Sequence, residues 1–313
     1  MYKVVLFLFL FFGSFAFAKY DNCDFVNKHY EDICKSVVKK GVSYRYANKF
    51  LLDYFQTQKF DEITWKYLKP RYIKHYAKAE KKANKILENH IPRLTKHLKR
   101  YKKVYAKAEK LYNVNKEIIA AILLKETNLG KIKPRHDAFR VFNTLLIRLK
   151  PTTKRSKRLI NMAKTNMSSI INHCYKNGIP INKCHLKSSF AGAVGIPQFM
   201  PNSFVFARGY KTKYANLNKM EDAIISVAKF LNKKAGFKRK IDWKKMPNIK
   251  KVESKWYKYQ AKTKYPSLNR FKCKEKKLPY MKKYLKIIKR YNNSTNYAMG
   301  VLRIANKTVL NIP

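Results

Sequence analysis

Apolar positions in this chain recur three and four residues apart far more often than two, and β-type alternation is nearly absent. From Cys23 to Tyr112 the pattern is helical throughout, as in Tyr101, Val104, Tyr105, Ala108 and Leu111. A denser helix, "EIIAAILLKETNL", follows, with Gly130 in the position of a helix stop. A polar, lysine-rich stretch from Lys150 to Arg158 leads into another helix that runs to about His173. The segment 188–204, "SSFAGAVGIPQFMPNSF", breaks the rhythm with small residues and two of the chain's nine glycines. Beyond it, "EDAIISVAKFLNKKAG" is amphipathic, residues 238–254 read as a linker or extended excursion, and "PYMKKYLKIIKRYNNSTNYAMGVLRIA" reads as two helices broken at an Asn-rich turn. There is no internal repeat. The pattern predicts a mainly α protein.

The first eighteen residues stand apart from this pattern. Lys3, an apolar run from Val4 to Phe12 and a small-x-small end at Ala16 and Ala18 form a secretory signal peptide, with cleavage expected after Ala18. The apolar run is short for a membrane span, and Cys23 lacks the preceding residues that a lipidated cysteine needs, so no lipid anchor is expected. About 295 residues then remain, and with 46% hydrophobic residues they can build a real core. We read residues 19–94 as an N-terminal helical region, a wall- or partner-binding extension, and residues 95–313 as the catalytic part.

Charge narrows the partners. The chain carries 71 Lys plus Arg against 18 Asp plus Glu, a net +53 spread from end to end. Such a field favours polyanions, and export points to an anionic wall or membrane surface and away from nucleic acid. All five cysteines lie in the exported part, where disulfides persist. Cys23 with Cys34 and Cys174 with Cys184 are the sequence-local pairs and leave Cys273 single, although other pairings stay open. No C-x-x-C occurs, so a metal site is not expected.

Candidate chemistry begins at Glu126. On a helix it lies about 20° from Ile119, about 40° from Ile122 and about 60° from Leu123 and Leu129. A carboxyl in an apolar stripe has its ionised form disfavoured, which raises its pKa toward neutrality and suits it to donate a proton. Between Lys110 and Met220 the other acidic residues are Glu117, in the first turn of the same helix, and Asp137, beside the basic cluster "KIKPRH". Glu126 would therefore work alone. One carboxyl can act as acid and then base if the substrate supplies the nucleophile, as an acetamido sugar can through its N-acetyl oxygen.

Three segments, "YNVNKEIIAAILLKETNLG", "SSFAGAVGIPQFMPNSF" and "KRYNNSTNYAMGVLRIA", resemble in order and separation the signatures of the lytic murein transglycosylases of the membrane-bound B type. The flanking "RYKKVYAKAEKLY" and "FNTLLIRL" agree, and the resemblance covers roughly residues 95–308. It implies a lysozyme-like, mainly α catalytic domain with additional N-terminal helices. It also implies non-hydrolytic cleavage between N-acetylmuramic acid and N-acetylglucosamine in peptidoglycan glycan strands, ending in a 1,6-anhydromuramyl product. Glu126 matches the catalytic acid and base in E-T-x-x-G, and Ser189 a serine that contacts the N-acetyl group. Gln198 matches a groove-lining glutamine, Tyr291 and Asn292 residues brought beside the glutamate, and Tyr297 a further aromatic of that wall.

Each of these also has a plainer structural role. Ser189 would cap a turn, Gln198 would be a satisfied amide at a helix start, and Asn292 would be a turn residue. The glycines would serve an ordinary loop as well as close approach to a sugar. The family's acidic calcium loop has as its counterpart "GYKTKYANLN", residues 209–218, which has no carboxylate, so neither cofactor nor metal is expected. The expected location is periplasmic. A muramidase of the same fold and a non-catalytic wall-binding scaffold are the alternatives. Endo- or exo-lytic action, oligomeric state and protein partners are not legible.

Overall fold

A computed structural model describes residues 23–56, 60–69, 72, 79–84, 86–212 and 214–311. The signal-peptide expectation for residues 1–18 lies outside the described residues. Among those described, residues 79–84 are helical, and the α-helices described from end to end are α1 (Lys28–Val38), α2 (Tyr44–Gln56), α3 (Glu62–Tyr67), α4 (Ile91–Arg100), α5 (Lys102–Tyr112), α6 (Lys116–Thr127), α7 (Ala138–Arg148), α8 (Lys154–Lys176), α9 (Met220–Lys233), α10 (Ile249–Lys262), α11 (Leu278–Ile288) and α12 (Thr295–Leu310). Two short strands, β1 (His136–Asp137) and β2 (Lys187–Ser188), pair antiparallel with His136 opposite Ser188. The mainly α class follows from the periodicity, and no described helix is long and apolar enough to cross a membrane.

Two cores organise these helices. The larger is built around α6, against which α12, α4 and α9 pack. Residues Ile118 to Leu124 of α6 are all buried, so this helix has no solvent face. The apolar stripe expected around Glu126 is therefore only part of a helix that is buried on every side. The second core joins α1 and α2 to α7 and α8, with Tyr30, Phe50, Phe139 and Phe142 fully enclosed. Its edge is fastened by Cys23–Cys34 and Cys174–Cys184, the two sequence-local pairs, while Cys273 is free.

Two boundaries differ from the sequence reading. Residues 238–254 are not a linker or excursion throughout: from Ile249 they belong to α10, which Asn248 caps by accepting the Lys251 N–H at 3.0 Å and which buries Ile249, Val252 and Trp256. Lysines at most intervening positions hid this stripe. Helix α6 also ends before Gly130. Asn128, Leu129 and Gly130 all take left-handed backbone angles, with φ of 53°, 57° and 78°. The Asn128 and Leu129 N–H groups close back onto the Leu124 and Leu123 carbonyls at 2.9 and 3.1 Å.

Candidate active site

The early stop of α6 matters because it frees Thr127 for a tertiary contact. Its hydroxyl donates to the Ile196 carbonyl at 2.9 Å and accepts the Gly130 N–H at 3.2 Å, which docks the glycine-bearing loop onto the end of α6. The loop is a folded-back ladder in which Val194 bridges both Ser188 and Phe199. Its glycines answer to packing. An added Cβ at Gly192 (φ 83°) would sit 2.3 Å from the Phe142 ring, and one at Gly195 (φ 72°) 2.6 Å from Leu217 Cβ. The close approach expected of these glycines is thus made by protein side chains, from α7 and from the segment ahead of α9.

Glu126, one residue before Thr127, is half-buried. Tyr297, from the first turn of α12, donates its phenol to Glu126 Oε1 at 2.7 Å. Desolvation pushes the Glu126 carboxyl up to about 7, against the smaller opposing pulls of the Tyr297 hydrogen bond and the Lys125 charge, with Glu80 adding to the rise. Burial and the nearby Glu126 hold the Tyr297 and Tyr291 phenols well above their ordinary range, so both remain neutral donors. Tyr291 donates to the Pro197 carbonyl and packs against Phe199 and Phe230 at 6.0 and 5.1 Å between ring centroids. It therefore ties the turn before α12 to the loop docked on α6.

The remaining sequence candidates are placed differently. Ser189 Oγ accepts the Ala193 N–H at 3.2 Å, a turn-capping contact inside the loop. Gln198 takes a left-handed φ of 50°, and its amide donates to the Gly195 carbonyl at 2.8 Å. That conformation is uncommon for glutamine and stores strain between Pro197 and Phe199. Asn292 is exposed in the turn between α11 and α12, its N–H donating to the Ile288 carbonyl at 3.3 Å. Glu126, Tyr297 and Tyr291 thus form one cluster, Ser189 and Gln198 shape the loop docked on α6 through Thr127, and Asn292 is exposed in the turn beside Tyr291.

The other carboxylates are committed elsewhere. Asp137 caps α7 by accepting the Arg140 N–H at 2.9 Å and pairs with His185 at 3.1 Å. Glu117 is buried in the first turn of α6, and desolvation raises its pKa. Sequence reasoning missed the polar groups behind Glu126, namely Lys125, Asn84, Glu80 and Glu253, because three of them come from outside the signature segments. A lysine and a glutamate in adjacent helix positions gave no sign that both turn inward. A cleft of about 590 Å³, lined by Val194, Pro201 and Leu217 together with His173 and Phe204, abuts the loop. Glu126 is not part of its wall.

The transglycosylase SLT domain family matches residues 26–306 of this chain. The chain belongs to this family. Among solved structures, the Escherichia coli lytic transglycosylase Slt35 in complex with bulgecin A is 19% identical, with 91% of this chain and 94% of that chain covered at a TM-score of 0.57. The soluble lytic transglycosylase SltB1 from Pseudomonas aeruginosa is 19% identical, with 90% and 99% covered and a TM-score of 0.60. SltB3 from the same organism, in complex with NAG-anhNAM-pentapeptide, is 14% identical, with 90% and 78% covered and a TM-score of 0.54. No curated protein matches in sequence.

In this SLT-domain chain the loop after the QFMP segment is closed by a single carboxylate. Asp222, in the first turn of α9, accepts the Tyr210 N–H at 2.7 Å and the Asn216 N–H at 2.8 Å. Lys107 reaches the same loop from α5, donating to the Tyr210 carbonyl at 2.9 Å. Among the described residues there is no group of three or more His, Cys, Asp or Glu side chains that could hold a metal ion.

Proposed function

We propose that this chain is a peptidoglycan lytic transglycosylase, a lyase that cleaves the bond between N-acetylmuramic acid and N-acetylglucosamine and leaves a 1,6-anhydromuramyl end. The observation that carries this reading is Glu126, a desolvated carboxyl with a pKa of about 7, held by the Tyr297 phenol at 2.7 Å. A carboxyl at that pKa is populated in both protonation states near neutral pH, as one group acting first as acid and then as base requires.

In the first step Glu126 donates its proton to the glycosidic oxygen while the bond from that oxygen to the muramyl C1 breaks. The muramyl N-acetyl oxygen bonds to C1 and stabilises the positive charge there. In the second step the Glu126 carboxylate takes the proton of the C6 hydroxyl as O6 bonds to C1 and the N-acetyl oxygen leaves. The carboxyl is regenerated and no water enters the products. Between the steps the phenol of Tyr297 supplies a hydrogen bond to the carboxylate that has just formed, where burial would otherwise oppose it. On this reading Ser189 and Gln198 shape the sugar side of the groove, and Tyr291 and Asn292 close its other wall.

The substrate lies outside the cytoplasm, and we assign the chain to the periplasm, exported by residues 1–18 with cleavage after Ala18. The complex of SltB3 with NAG-anhNAM-pentapeptide supports glycan strands with peptide stems as the partner. Digestion of purified sacculi tests the assignment, with the products read by mass. Anhydromuropeptides should form, and Glu126→Gln should lower their release at least a thousandfold, an order-of-magnitude expectation for losing an acid–base group, roughly 10³. Products heavier by one water would identify a muramidase, and binding without soluble product a scaffold.

A further inference from the structure

Behind Glu126 lies a buried polar assembly that the reaction as described does not use. Lys125 donates to Asn84 Oδ1 at 2.7 Å, and its ammonium sits 5.0 Å from the centre of the Tyr297 ring. Asn84 is fully buried; its amide donates to the Asn296 carbonyl at 2.8 Å and the Tyr257 phenol oxygen at 3.0 Å. It also lies so close to α12 that a Cβ on Gly300 would fall 2.4 Å from its Oδ1. Glu80 accepts a hydrogen bond from Ser294 Oγ at 2.5 Å, and that same Oγ accepts the Tyr297 N–H at 3.1 Å as the N-cap of α12. Two routes from residues 79–84 therefore converge on Tyr297, one through its backbone N–H and one through its ring.

Resting on the reading of Glu126 as acid and base, we propose that Lys125, Asn84 and Glu80 are positioning residues that hold Tyr297 against Glu126. Residues 79–84 are then part of the active centre. Burying an ammonium is unfavourable unless it is well partnered. Desolvation pulls the Lys125 amine down, and the nearby carboxylates Glu80, Glu126 and Glu253 counter it, with Arg303 of α12 opposing them. A neutral side chain of similar length would fill the space without that penalty. The charge is placed where it touches the ring that carries the hydrogen bond to Glu126.

The groups facing Glu126 are Tyr297 of α12, Tyr291 of the preceding turn, Lys125 of its own helix and Glu80 of the N-terminal segment. Lys125 and Glu80 also act on it directly, with opposite sign, whereas letting go of Tyr297 removes a hydrogen bond that lowers the Glu126 pKa and so moves it upward whichever residue is changed. A positioning role is therefore read from how much of each shift depends on the Tyr297 hydroxyl.

The experiment follows the Glu126 carboxyl by 13C NMR in the full exported chain, with Glu126→Gln assigning its resonance, alongside the pH profile of anhydromuropeptide release. Asn84→Ala and Ser294→Ala, which change no charge and cut one route each, should move the carboxyl titration and the alkaline limb of kcat upward by about half a pH unit or more, as should Lys125→Met. In the Tyr297→Phe background the first two shifts should vanish and the third shrink. Lys125→Met should lower kcat about tenfold with KM little changed, and Lys125→Arg should restore most of the loss. Unchanged titrations, or shifts as large in Tyr297→Phe as in the parent, would overturn the proposal. Should Asn84→Ala fail to fold, Ser294→Ala decides alone: an upward shift that Tyr297→Phe abolishes upholds the proposal, and no shift or an unabolished one defeats it. Because the titration is read without substrate, its outcome is separate from whether Glu126→Gln abolishes activity.

Discussion

Glu126 shows how a residue can be found from sequence for a reason the structure revises. Helical spacing singled it out as a carboxyl in an apolar stripe, yet α6 has no polar face to contrast with a stripe. What raises its pKa is desolvation by burial, which outweighs the opposing hydrogen bond from Tyr297 of α12. This enclosure has a stability consequence with a definite sign. The folded pKa of about 7 lies above the ordinary value of 4.5, so the unfolded chain loses this proton first as pH rises. The contribution of this carboxyl is complete below pH 4.5 and declines as pH rises through 7. Glu126→Gln cannot ionise, so it should unfold much like the parent at pH 4 and be more stable at pH 8, by up to about 3 kcal/mol. Denaturant midpoints at the two pH values check this, and an equal difference at both would contradict it. Gln198 and Leu129 belong to the same lesson, since a left-handed φ on either is invisible in sequence without a glycine to mark it.

The helices were legible where apolar residues dominate, as in α6 and α9, and illegible where lysines mask the stripe, as in α10. The signature loop was visible as a break in pattern, but its purpose was not. Gly192 and Gly195 were open to a sugar-contact reading, and the neighbours turn out to be Phe142 and Leu217. Gly192→Ala should therefore destabilise the fold by about 2–4 kcal/mol, through both the left-handed backbone and the clash. Gly178→Ala is the matched control, because Gly178 has a φ of 62° with nothing within 4 Å of the added atom, and should lose only about 1 kcal/mol. Chemical denaturation of the two variants separates strain from collision. In the loop 209–216 the lysines gave no hint of the device that closes it. The carboxylate is Asp222, beyond the loop on α9, and only the fold brings it back to Tyr210 and Asn216.

Across the whole molecule, the two cores meet through the loop that carries Ser189 and Gln198, with Val194 in one and Ile196 in the other. The N-terminal helices α1 and α2 share the second core with α7 and α8, so their burial and the placement of Phe142 under Gly192 depend on each other. The net charge of +53 surrounds this frame and is suited to hold an anionic, peptide-bearing polymer. Retention on purified sacculi should fall at least tenfold between about 0.05 and 0.5 M salt, since the Debye length shrinks several-fold over that range. Binding that is indifferent to salt in a co-sedimentation assay would remove charge from the account of substrate capture.

Helix content and the order of the signature segments are consequences of residue type and spacing, so the sequence determined them unaided; it marked Glu126 through the resemblance of its segment, and offered the two local cysteine pairs among other pairings. The hydrogen bond from Tyr297 to Glu126 spans 171 positions, and the contact between Lys125 and Asn84 spans 41. Neither has a periodic signal, because each joins elements whose relative placement is set by core packing. That packing decided which polar groups stand behind Glu126, and with them how readily it gives up its proton.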